Sequence, residues 1–534
     1  MRKSCVIALS LLLVLPAVFF VSGCKNEADE DQKPTVVPVL PPVYYSQFGA
    51  TGNGKTDDFD AIIAAHEEAN RTGAEVRADA DAIYYIGNAQ KSAVIKTDTN
   101  WGNAQFIIDD TEIEFTNRWN PDRGGHNEKV WQDSWVFHIA PSLDPYEIDS
   151  IATLEKNQSK LSMSFPQDML LVPIDSNTLR YRRKGENANA GAPQQDAIVV
   201  DKNGNIDQKA PVMWDFEQIT SLTAYPIDEK RLTVRGGRFR TINNTGNADD
   251  LYMKRGIHVN RSNTVIDGIY HDIIEEGAQG ASYTGFLYFE NCANVTLQNS
   301  TLSGHFAYYR PSQTYTRRGS YDIQVNRTVN MSVIDCDQTN EITDRLLYGI
   351  FASNYSKNIL FDGVKFSRFD AHMGVYNTTL LNSELGYMGV SIIGSGLLLI
   401  EDTKVSGENF IYFREDYGST WEGEVVIRNC VFAPSANVMN TASIIFTAND
   451  GTHDFYYECF MPETIEIDGF IVEDSPAPAG YNGVYLVSAR NTNTATERYP
   501  FTLTKTIYLS GYESSRDYRM SNNYIRSSIE VVIP

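Results

Sequence analysis

The sequence predicts an all-β fold, a parallel β-helix preceded by one helix, and three observations predict it. From about residue 232, short apolar strands alternate with Asn, Asp, Ser or Gly corners, as in "GIHVNRSNTVIDGIYH", "YDIQVNRTVNMSVIDCDQT" and "YGIFASNYSKNILFDGVKFS". These units recur every roughly 16–36 residues, the mark of a solenoid with insertions. No long amphipathic helix separates the strands, which excludes doubly wound and barrel α/β folds. One amphipathic helix does stand ahead of the repeats, with Phe59, Ile62, Ile63 and Ala69 on its apolar face.

Taken in chain order, the first 23 residues have a basic start, an apolar run and a small-residue end, the layout of a secretory signal. "VSGC" (Val21 to Cys24) resembles the lipobox of bacterial lipoproteins, which implies lipidation of Cys24 and an outer-membrane protein at the cell surface. The acidic "KNEADED" that follows is similar to a surface-export signal. Residues 24–42, ending in "KPTVVPVLPP", are expected to be an extended tether. The domain proper is expected to span 43–534. It opens with "FGATGNGKTDD", a glycine turn followed by Asp57 or Asp58 as helix N-cap. That segment resembles the start of the pectin lyase-like superfamily, through Phe48, Gly49, Ala50, Gly52, Gly54, Asp57, Asp58 and Ala61. The resemblance implies a right-handed β-helix plugged by the helix, and it argues against an antiparallel sandwich. It does not choose a reaction, since hydrolases, lyases and phage tail proteins share it. Residues 100–230 are less regular.

At 534 residues the chain exceeds one ordinary core unless it grows as a solenoid. With 45 Lys plus Arg against 68 Asp plus Glu, a net charge of −23 disfavours nucleic-acid binding. Cys292, Cys336, Cys430 and Cys459 show no zinc-ligand spacing, so they are expected to be small buried residues. Neither a metal nor another cofactor is expected, calcium not being indicated by any compact Asp triad, and the chain is expected to be a monomer.

Two polar clusters carry the chemistry. "SRFDAHMGVYN" (367–377) and "FREDYGSTWEG" (413–423) are separated by about two turns, or roughly 10 Å at the spacing of stacked strands. Aligning the apolar centres places Ala352, Tyr376, Ile392 and Phe413 in one column, with Asp370 and His372 in a turn and Arg414 facing outward. The residue types suit a polysaccharide lyase acting on a uronic-acid-containing glycan by β-elimination. Arg414 or Arg345 would neutralise the carboxylate, His372 or Tyr417 would take the proton, and Tyr417 or water would protonate the leaving oxygen. Asp416 joins this catalytic group, while Asn377, Glu415, Arg317 and Arg318 are expected to bind substrate. A glycoside hydrolase using two of Asp370, Glu415, Asp416 and Glu422 is the alternative, and a non-catalytic glycan-binding protein is the third reading. Eight basic against two acidic residues over 230–262, and "YYRPSQTYTRRGS", add local positive charge suited to an acidic polysaccharide.

Overall fold

The structure, a computed structural model, describes residues 40–533 except 114–118, 121–124, 127–134, 186–190, 251, 278–279, 311–312 and 490–498. The signal segment, Cys24 and nearly all of the tether lie outside the described residues.

Strands stack in parallel register along the molecule as a right-handed β-helix. One inward-facing column runs from Val234 through Ile266, Leu297, Val333, Phe361, Leu380, Ile400, Ile427 and Ile467 to Leu509. All ten side chains are buried. Alternation at period two sends their neighbours outward, and each buried aliphatic contributes about 1.5–3 kcal/mol.

The corners are cut by residues in the left-handed backbone region. Asn263, Asn294, Asn330, Asn358 and Asn377 occupy one corner at φ between 52° and 60°. Asparagine tolerates this conformation better than other side chains with a Cβ. Each amide donates to the one beneath it, at 3.1, 3.0, 2.8 and 3.0 Å. The next corner is Gly396, where a Cβ would lie 2.3 Å from Asn377 Oδ1. Asn377 is therefore committed to this ladder, contrary to its expected place against substrate. The four cysteines are free and buried.

The capping helix spans Phe59–Thr72 and buries Phe59, Ile62, Ala65, His66 and Ala69 against the end of the coil. Asp58 holds the N-cap position, but its carboxylate receives the Thr51 and Gly52 amides at 2.6 and 3.1 Å, fixing the glycine turn. The helix end is served instead by Asp57, which accepts from Phe59 N–H at 3.0 Å.

One departure from a continuous coil is large. Tyr146–Glu147, Met169–Arg180, Ala192–Gln195, Ile198–Val200 and Ser221–Pro226 form a separate antiparallel sheet. It has its own core around Leu154, Phe165, Met169, Phe216 and Leu222. Its attachment to the coil includes a fully buried ion pair, Lys357 Nζ to Asp196 at 2.7 Å. The basic stretch 230–262 is also not the open positive patch expected. Arg255, Arg261 and Arg240 pair with Asp110, Asp228 and Asp272 at 2.8 Å each, and Arg235 lies 3.6 Å from Glu75. Stacking brings in acids from distant turns that a count along the chain omits.

Candidate active site

Asp370 and His372 do not lie in a turn. Both belong to one strand, Lys365–Leu381, where Arg368, Asp370 and His372 follow each other at period two. The expected column is corrected with them. Ala352 pairs with Gln324 and Tyr376 with Lys357 and Ser395, while Ile392 pairs with Phe413. The aligned sequence had merged two faces of the coil, because a left-handed corner between His372 and Tyr376, at Gly374, breaks the alternation.

The strand positions Asp370 two rungs from Tyr412, through Ser391. The chain then leaves Asn409–Phe413 through Arg414 into a short turn, Glu415–Tyr417. The two polar clusters thus meet directly. Arg414 Nη1 lies 2.7 Å from Asp370 Oδ1, and its Nε and Nη2 fork onto Asp416 at 3.1 and 2.7 Å. Arg368 pairs with the other Asp370 oxygen, and Arg183, from the loop after Met169–Arg180, reaches Asp416 Oδ2 at 2.8 Å. The result is a chain of alternating charge: Arg368, Asp370, Arg414, Asp416, Arg183.

Asp370 is fully buried. Burial alone would raise its pKa, but Arg368 and Arg414 overcome that and hold it well below the usual carboxylate range. As an acceptor-only group it takes the Tyr321 hydroxyl at 2.8 Å and His372 Nε2 at 2.7 Å. The Nε2 nitrogen therefore carries the hydrogen, which leaves the lone pair on Nδ1. Nδ1 makes no side-chain hydrogen bond, and the imidazole is 23% exposed. Burial pushes the pKa of His372 below its ordinary value, Asp370 opposing and Arg414 and Arg368 adding to the depression. The ring is neutral near pH 7, oriented by a carboxylate, and able to accept a proton at Nδ1.

The other expected site residues are placed as follows. Arg414 is buried and spent on two carboxylates, so it does not present itself to a substrate. Tyr417 is buried in an apolar cluster with Tyr181, Tyr355 and Ile393, under the guanidiniums of Arg183 and Arg414 at 5.6 and 5.3 Å. Burial raises its pKa and keeps it protonated. Glu415 is half-buried in the same turn as Asp416. Arg345 pairs with Glu408 at 3.1 Å on an exposed loop. Arg317 and Arg318 lie on the second strand of a hairpin, Ala307–Arg310 with Gln313–Gly319. The side chain of Arg317 lies outside the described residues, and Arg318 stands 5.1 Å over Tyr252.

Sequence reasoning missed Arg368, Tyr321 and Arg183. Arg368 was legible as the first of three polar residues at strand spacing. Arg183 had no such signal, since the separate sheet carries it in. That sheet also walls a cleft of about 410 Å³ against the coil, lined by Arg180, Trp214, Tyr355, Tyr376, Glu422 and Glu458 among others. Arg180 stacks 4.5 Å over Trp214. Among the described residues no group of three or more His, Cys, Asp or Glu side chains is arranged to hold a metal ion.

No protein-family model and no curated protein matches the chain. Solved structures do. The tailspike protein gp49 from Pseudomonas phage LKA1 is similar at 9% identity and a TM-score of 0.51, over 92% of this chain and 85% of that one. The Gp54 tailspike of Acinetobacter baumannii bacteriophage AP22, solved in complex with A. baumannii capsular saccharide, is similar at 12% identity and a TM-score of 0.50, over 92% and 75%. At these identities the likeness shows the fold alone, and the fold is a parallel β-helix.

Proposed function

We propose that this protein is a glycan-active enzyme that cleaves a uronic-acid-containing polysaccharide by β-elimination, with His372 as base. The observation that carries this reading is the dyad itself: a buried, ionised Asp370 fixing a neutral imidazole whose Nδ1 is unengaged. In the reaction Nδ1 takes the C5 proton, the C4–C5 double bond forms, and the C4–O bond breaks. The leaving oxygen takes its proton from water, because Tyr417 is buried. Arg414 holds Asp370 and Asp416 in place and does not neutralise the substrate carboxylate. A parallel β-helix likewise carries the saccharide-bound AP22 tailspike, which supports a glycan partner.

A glycoside hydrolase is the second reading, favoured by the aromatic cleft that Glu422 and Glu458 both line. Incubation with a panel of acidic glycans separates the two. Ultraviolet absorbance of an unsaturated uronide supports the lyase, reducing ends without that absorbance support the hydrolase, and binding with neither product leaves a glycan-binding protein. The proposal extends to location: a lipid at Cys24 would hold the mature chain on the outer membrane. Cys24→Ser should release it from the membrane fraction or leave it unprocessed, and unchanged fractionation would remove the anchor.

A further inference from the structure

The charge chain beside His372 does not balance. Among the described residues, Arg368, Arg414 and Arg183 make ion pairs with Asp370 and Asp416 alone, and the neighbouring imidazole is neutral, which leaves an excess of one positive charge. The excess sits at one end. The Arg368 and Arg414 side chains are 4% and 9% exposed, whereas Arg183 is 33% exposed and, among the described residues, shares its one carboxylate partner with Arg414. Arg183 Nε, a buried atom, has no hydrogen-bond partner among the described residues. A second guanidinium approaches from the hairpin. Arg318 stands over Tyr252, and Arg318, Arg183 and Arg310 all act on that hydroxyl against the burial that raises its pKa. Arg310 pairs with Asp249 at 3.1 Å, and Arg318 donates to a backbone carbonyl, Asp250 O, at 2.7 Å, with the Asp249 and Asp250 carboxylates also acting on it.

We propose that Arg183 binds the anionic group of a glycan, a uronate carboxylate or a sulfate ester, at the edge of the His372 centre, with Arg318, over Tyr252, adding positive charge from the hairpin. Guanidinium suits this task because its donors fork onto planar or tetrahedral oxyanions. Both arginines are carried on insertions to the coil, so the anion site is built by the two segments that interrupt the repeat. The inference rests on the glycan-active reading but not on the lyase chemistry.

The test is calorimetric titration of the whole protein with glucuronate, glucose 6-sulfate and glucose. The anionic sugars should bind and glucose should not, and the tighter of the two identifies the anion. Arg183→Ala should weaken that binding roughly 10–100-fold, the range for one charge-assisted hydrogen bond. Arg183→Lys should fall between, since it keeps the charge and loses the fork, and it serves as the folded variant if the alanine protein is unstable. Arg318→Ala should weaken binding in the same direction. The titration reads binding and not turnover, so failure of the lyase reading would not remove the site. Equal affinity for glucose and glucuronate, or parental affinity in both Arg183 variants, would overturn the proposal.

Discussion

Around His372 each residue depends on its neighbour for charge. Replacing His372 with Ala should leave the fold intact and lower turnover roughly 10²–10⁴-fold, measured as product formed per enzyme. The imidazole pKa is depressed, so the neutral base persists to lower pH than a free histidine allows. The acid limb of the rate profile should lie below 6.5, the ordinary histidine value. A limb at or above 6.5 would assign the titration to another group. Asp370→Asn should behave differently from His372→Ala. It leaves Arg368 and Arg414 buried without their shared partner, at a cost of about 3–5 kcal/mol in chemical unfolding.

Between the elements, two buried polar joints matter most. Lys357 and Asp196 fasten the antiparallel sheet to the coil, so Lys357→Met should cost about 3–5 kcal/mol by stranding a buried carboxylate. The double variant Lys357→Met with Asp196→Leu should recover most of that loss, because both charges are gone; a purely additive pair would contradict the coupling. The second joint links three consecutive turns. Asp322 receives His271 Nδ1 at 2.7 Å and His305 Nε2 at 2.8 Å, and Glu276, itself bonded to Tyr308, lies 3.5 Å from His305 Nδ1. Burial opposes protonation of His305, yet Asp322 and Glu276 prevail and raise its pKa from 6.5 to about 10. A raised histidine pKa means the folded state binds the proton more tightly. Its stabilisation is complete below 6.5 and is lost as pH rises through about 10. The thermal midpoint should therefore fall across that interval, and His305→Asn should flatten the fall; an identical slope in the variant would exclude this joint as its source.

At the scale of the whole molecule, the coil was legible because its physics is local. Alternation at period two and a turn residue at every corner are written in each repeat, and the glycine turn with its two aspartates marked the cap. That the two polar clusters belong to neighbouring turns was legible too, but their direct contact was not: counting turns gave roughly 10 Å, where Arg414 lies 2.7 Å from Asp370. What was not legible depended on contacts without a period. The corner at Gly374 shifted the register by which Tyr376 was aligned, and no pattern at 141–227 announced that a separate sheet would bring Arg183 to Asp416. The neutralised arginines of 230–262 failed to read for the same reason, their partners lying on other turns.

The capping helix has a further consequence. It buries Phe59, Ile62 and Ala69 over the first turn, where the backbone donors and acceptors of the coil would otherwise face solvent as an open strand edge. Such an edge is a template for another chain. Without residues 43–75 the molecule would present that edge to other chains, and light scattering should show concentration-dependent association. The helix thus closes one end of a repeat that has no intrinsic length.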